Sequence, residues 1–151
     1  MATPTLKLFG SSVTVIASGT APGNATLANN VMTTTASSKI TSTETLDYPL
    51  GEFELAVAFT TAPTALKTID MYARDYDIAN SNASPTPSTT QVHRYLGSFV
   101  VAAIGSSTVQ YLKTEGVPLA KNFDIFILNN ATGQTINASW TLKMRPYTLG
   151  T

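Results

Sequence analysis

Alternation of period two, with no helical period competing against it, is what most limits the folds open to this chain. Across residues 52–60, Phe53, Leu55, Val57 and Phe59 share one side of the chain while Glu52 and Glu54 share the other. Side chains on a strand point to opposite faces in turn, so this is the pattern of a half-buried strand. Residues 68–74 repeat it, with Ile69, Met71 and Ala73 opposed to Asp70, Tyr72 and Arg74. Near the C-terminus Ile136, Ala138, Trp140, Leu142 and Met144 alternate with Asn137, Ser139, Thr141, Lys143 and Arg145, and Pro146, which lacks a ladder donor, marks the strand's end or a sheet edge. Residues 123–128 are apolar on both faces, which predicts a central strand. Residues 92–103 and 108–112 supply two more strands, separated by Gly105, Ser106 and Ser107.

Turn residues fall between these runs. Residues 61–65 contain Pro63, Gly116 to Pro118 start a turn, and Gly133 within 129–134 is free to take a positive φ, so 123–128 and the C-terminal strand read as a hairpin. No apolar set holds an i, i+3, i+4, i+7 pattern with a cap. The expected fold is all-β, an antiparallel β-sandwich or jelly roll.

Composition changes near Tyr48. Residues 1–45 are rich in Thr, Ser and Ala, with strand-like patches at 13–17 and 31–35, and read as an extended N-terminal arm or as edge strands. Residues 46–151 are expected to form the sandwich domain. Residues 79–91 hold two prolines and no large apolar side chain before Gln91, and read as an exposed loop. A chain of 151 residues is long enough to bury a core as one domain.

Nine basic and nine acidic side chains cancel, and only 12% of residues are charged. Such a chain carries no electrostatic footprint for nucleic acid or an anionic membrane. Its surface must be covered by Thr, Ser, Asn and Ala, which are buried against a partner at small desolvation cost. Cysteine is absent, which removes disulfides and thiolate metal sites. Met1 to Thr5 offers neither a basic region nor an apolar run, so the expectation is synthesis in the cytosol without a secretory leader. The N-x-[ST] sequons at Asn24, Asn82, Asn130 and Asn137 are then read as turn and strand composition.

Candidates for chemistry are few. His93 is the single histidine, and neither it nor Ser98 falls in a spacing that suggests a triad. Asp75 and Asp77 alternate like calcium-loop ligands, but the glycine at the turn and the distal glutamate are missing. Glu52 and Glu54 share a strand face, as a glycosidase pair might, and also as ordinary solvated acids do. Tyr72, Tyr76, Tyr95 and Tyr111 are the aromatics to inspect for a sugar-stacking platform, whereas Trp140 lies on an apolar stripe and reads as core. The residues therefore suggest no catalytic, cofactor or metal site and no enzyme.

The order YPLGEFELAVAF (48–59), PTALKTIDMYARD (63–75), HRYLGSFVV (93–101), VPLAKNFDIFILNNATGQTINASW (117–140) and TLKMRPY (141–147) resembles small virion proteins of tailed bacteriophages. Within that group it is most similar to jelly-roll capsid decoration, or cement, proteins. The resemblance starts at Tyr48 and consists of strand-and-turn order. It implies a structural protein that binds the outside of a capsid and stabilises it, with the major capsid protein and further copies of itself as partners, no cofactor, no nucleic acid and no membrane. It places the chain on the virion surface after synthesis in the bacterial cytoplasm. The alternative is a tail, fibre or head-completion β-sandwich, with carbohydrate or receptor binding as one of its roles.

Overall fold

A computed structural model describes residues 6–41, 48–79, 81–90 and 94–150. Its strands, all antiparallel, are β1 (Leu6–Phe9), β2 (Val13–Ile16), β3 (Leu50–Val57), β4 (Thr68–Asp75), β5 (Arg94–Val100), β6 (Gln110–Pro118), β7 (Phe123–Asn130) and β8 (Thr141–Gly150). One sheet runs β1-β8-β3-β6, with β2 also on β8, and the other runs β5-β4-β7. The two sheets enclose one core. Phe53, Leu55 and Val57 of β3, Leu142 and Met144 of β8, and Trp140 belong to it from one side. Ile69, Met71 and Ala73 of β4, Phe99 of β5, and Phe123, Ile125 and Ile127 of β7 belong to it from the other.

The pairings nest. β2 lies on β8, residues 31–40 lie along β7, β3 lies on β6 and β4 lies on β5. First with last, second with seventh, third with sixth and fourth with fifth is the winding of a jelly roll.

The second member of that series is not a regular strand, yet it satisfies β7 completely along one edge. Ile40 and Phe123 exchange backbone bonds of 2.8 and 3.1 Å, and at the other end Asn30 N–H donates to Asn129 O and Asn129 N–H to Val31 O. Between them the N–H groups of Ile125 and Ile127 donate to the Ser37 and Thr33 hydroxyls at 2.9 and 3.1 Å. The N–H groups of Ser37 and Thr33 donate back to the Ile125 and Ile127 carbonyls, both at 2.8 Å. Two hydroxyls thus stand where a neighbouring strand would place carbonyls, and the buried donors of β7 are not left unpaired. Residues 27–40 contribute Leu27, Met32 and Ile40 to the interior, and β2 contributes Val15 and Ile16.

Three local expectations are corrected. First, β7 and β8 belong to different sheets, so residues 131–140 are a crossover and not a hairpin loop. Second, β8 begins at Thr141: Ile136 and Trp140 are buried from within the crossover, Ala138 is exposed, and Ser139 has φ 69°. Third, β6 continues to Pro118, past the turn expected at Gly116, because Gly116 at φ 74° sits opposite the register shift between Gly51 and Phe53 and forms a bulge there. Pro146 lies inside β8, opposite Gly51. Its carbonyl accepts from Gly10 N–H at 2.8 Å, so its missing donor faces the bend between β1 and β2, where no ladder partner is needed.

Candidate interaction surface

The carboxylates that suggested chemistry all have partners. Glu52 and Glu54 point outward from β3, opposite Arg145 and Lys143 of β8. Arg145 donates to Glu52 at 3.0 Å, and Lys113 of β6 lies 3.5 Å from Glu54 and 3.9 Å from Glu52. This is a ladder of opposite charges across three strands, the usual way an exposed sheet face is stabilised. Glu115 pairs with Lys7.

The Asp75 and Asp77 carboxylates point to different work. Arg94 binds Asp75 through two bonds of 2.7 and 3.1 Å, a fork that consumes both oxygens. Asp77 closes its own loop, accepting from Ser81 N–H at 2.8 Å, from the Ser81 hydroxyl at 3.2 Å and from the Asn82 amide at 2.9 Å. The Asn82 amide and the Ser81 N–H hold its carboxyl down to about 2, against an ordinary 3.8. A pKa lower in the folded loop than in the open one means that the closed loop is favoured fully above the ordinary value and loses that advantage as pH falls through about 2. An NMR titration is therefore expected to find the Asp77 carboxyl still ionised at pH 3, with Ser81 N–H protected, and both lost together below that. Among the described residues, no group of three or more His, Cys, Asp or Glu side chains is placed to hold a metal ion.

Asp124, on the outer side of β7, is buried and accepts from Arg74 at 2.5 and 3.1 Å and from the Tyr76 hydroxyl at 3.1 Å. The Asp124 carboxylate raises the Arg74 guanidinium above its ordinary value, chiefly through these bonds. Arg74 also lies over the Phe126 ring at 5.3 Å and donates to Thr86 at 3.3 Å, tying residues 84–90 to the sheet. Removing one member of a buried pair strands the other's charge. Arg74→Ala is expected to destabilise the fold by about 3 kcal/mol. Arg94→Ala, whose partner Asp75 is exposed, is expected to lose about 1 kcal/mol or less in the same denaturant titration.

The four tyrosines separate. Tyr76 is engaged by Asp124 and lies under the Lys39 ammonium, 4.0 Å from its ring centre. Tyr72 and Tyr95 form a tilted pair 5.6 Å apart on the outer face of β4 and β5, and Tyr111 stands alone among the four, 68% exposed on β6. Burial pushes the Tyr72 hydroxyl up, helped by the negative charge of Asp70. Ser98 donates to Asp70 at 2.6 Å, and its oxygen is 2.5 Å from the Tyr95 hydroxyl, so it is committed to that carboxylate. His93 lies outside the described residues. The sequon amides of Asn82, Asn130 and Asn137 donate to Asp77, Asp70 and Ser107, while Asn24 is exposed. Trp140 is buried, and its indole N–H donates to the Ala25 carbonyl at 2.9 Å.

What the sequence reading overlooked is β1. Leu6, Leu8 and Phe9 are exposed, as is Leu149 opposite Lys7. Among the described residues, β3 begins at Leu50, opposite Tyr147, so Thr148, Leu149 and Gly150 pair with β1 alone and the two strands project as a ribbon, with no described strand beside β1 on its other side. Edge strands are ordinarily guarded by a free lysine, a proline or a bulge. Here Lys7 is drawn back across the sheet to Glu115, and Arg145 covers the Phe9 ring at 4.0 Å, which leaves the edge itself apolar. The signal in the sequence was the alternation of Leu6 and Leu8 about Lys7, too short to stand out beside the eight-residue strands. Comparison of the chain with protein-family models, with curated proteins and with solved structures gives no match.

Proposed function

We propose that this chain is a non-enzymatic virion structural protein that binds the outer surface of a phage capsid and stabilises it. The observation that carries the reading is β1: an apolar strand with no second described strand along its outer edge, on a jelly roll whose described acidic side chains are already bonded within the chain. An open edge of this kind accepts another protein by adding hydrogen bonds and burying leucines, and it takes no part in bond-making chemistry. The strand-and-turn order that resembles decoration proteins supports the same assignment, with the major capsid protein and further copies of the chain as partners.

Purified protein added to capsids assembled without it is expected to bind saturably, at a stoichiometry set by capsid symmetry, and to raise the temperature at which they break. A second reading, recognition of a glycan by a tail or fibre protein, draws on the exposed Tyr95 beside Tyr72, Ser98 and Asp70. Saturable binding to a glycan panel with none to capsids would favour it over decoration.

A further inference from the structure

The loops of this jelly roll divide sharply by charge. Residues 17–30, 58–67, 101–109 and 131–140 meet at one end of the sandwich, and Lys67 is the only charged side chain in all four. At the opposite end lie Lys39, Asp75, Asp77, Arg94 and Lys121. The uncharged end presents apolar side chains to solvent: Leu66 is 82% exposed, and Ile104 and Val109 are exposed in the 101–109 loop, which Leu66 joins through the Val101 carbonyl.

These loops are held rigidly. Thr64 N–H donates to Thr132 O at 2.8 Å, Leu66 N–H to Val101 O at 3.1 Å, and Ser106 N–H to Thr60 O at 2.9 Å. The Asn137 side chain joins three of them, accepting from the Thr60 hydroxyl at 3.0 Å and donating to Ser107 at 3.1 Å. Gln110, buried beneath, bonds the Ala102 amide and the Ala102 and Ile104 carbonyls. Gly105 passes so close to the 58–67 loop that a Cβ would sit 2.5 Å from Ala62 N. All the non-glycine residues of positive φ among the described residues lie at this end: Asn30, Leu66, Ser106, Ser107, Ala131 and Ser139. Leucine at φ 64° is strained, and the bonded loops hold this apolar side chain out in water, where packing within the chain does not account for it.

Resting on the reading above, we propose that this end is the face that seats on the capsid, and that its counterpart is a neutral, apolar patch of the major capsid protein. A charged counterpart would be desolvated here with only Lys67 to answer it, which disfavours nucleic acid and anionic lipid as well. Loops already fixed in shape lose little freedom on docking, so a few exposed side chains suffice. β1, near the other end, is then the edge offered to a neighbouring copy of the chain on the shell, so the two surfaces answer to the two partners named above.

The test pairs Leu66→Asn with Ile104→Thr in one variant, because asparagine tolerates the positive φ at 66 and both changes leave the core untouched. The probe is capsids purified without this chain. The double variant is expected to melt like the parent and to bind at least about tenfold more weakly, while Lys121→Gln at the opposite end binds like the parent. If the parent binds and the double variant binds equally well, or if Lys121→Gln is the one that weakens attachment, the assignment of this face is overturned while decoration stands. If the parent itself does not bind these capsids, decoration fails and this inference fails with it.

Discussion

A chain that starts at Tyr48 is expected not to fold. Its missing segment takes Val15, Ile16, Leu27, Met32 and Ile40 out of the core, at about 1.5–3 kcal/mol for each side chain. Together these approach the entire margin of about 5–15 kcal/mol that holds a domain. The loss at β7 comes on top. Phe123, Ile125, Ile127 and Asn129 each lose both backbone partners on that edge, and a strand apolar on both faces is then open to pairing with other chains. Circular dichroism of the truncated chain should show no cooperative melt, and aggregation is the expected fate. A sharp transition near that of the parent would mean that residues 6–41 are an accessory to a self-sufficient sandwich.

Trp140→Ala has the next largest expected effect. The indole is buried between the crossover and the residues around Gly23, whose carbonyl accepts from Trp140 N–H at 3.1 Å, and its ring nitrogen reaches Ala25 O. Truncation leaves a cavity and an unpaired carbonyl, for a combined loss of about 3–5 kcal/mol. In a domain of this size that lowers the melting temperature by about 10 °C. Trp140→Phe separates the two contributions, since it keeps most of the volume and gives up the hydrogen bond, at about 1 kcal/mol. A tryptophan variant that melts like the parent would place the indole at the surface and revive its use as a sugar platform.

Trp140 also shows what the sequence could reveal and what it could not. Its burial was legible, and so were β3 and β4, where a strict alternation of large apolar and polar residues leaves one choice of inward face. The alternation through Ile136 and Trp140 was legible but misleading: both are buried, yet by a folded crossover with Ser139 at φ 69°, which period alone does not distinguish from a strand. The pairing of β7 was hidden for a different reason. Its partners include the hydroxyls of Thr33 and Ser37, and short polar side chains that replace a backbone ladder leave no periodicity behind. The candidate surfaces were harder still. Leu66 and Ile104 are ordinary loop residues in one dimension, and only the folding together of loops far apart in the chain makes them one uncharged end. The carboxylates were visible as types, but whether Asp75 met a metal ion or Arg94 depended on β5 lying beside β4.

Decoration requires this jelly roll to sit on the outside of a capsid and to strengthen it. The most direct measurement is a cryo-electron microscopy reconstruction of the intact particle, compared with one assembled without this chain. Decoration predicts additional density on the outer shell at symmetry-related positions, fitted by the two sheets, with Leu66 and Ile104 toward the shell. Shell density identical in the two particles, or density for this fold confined to the tail, would contradict it.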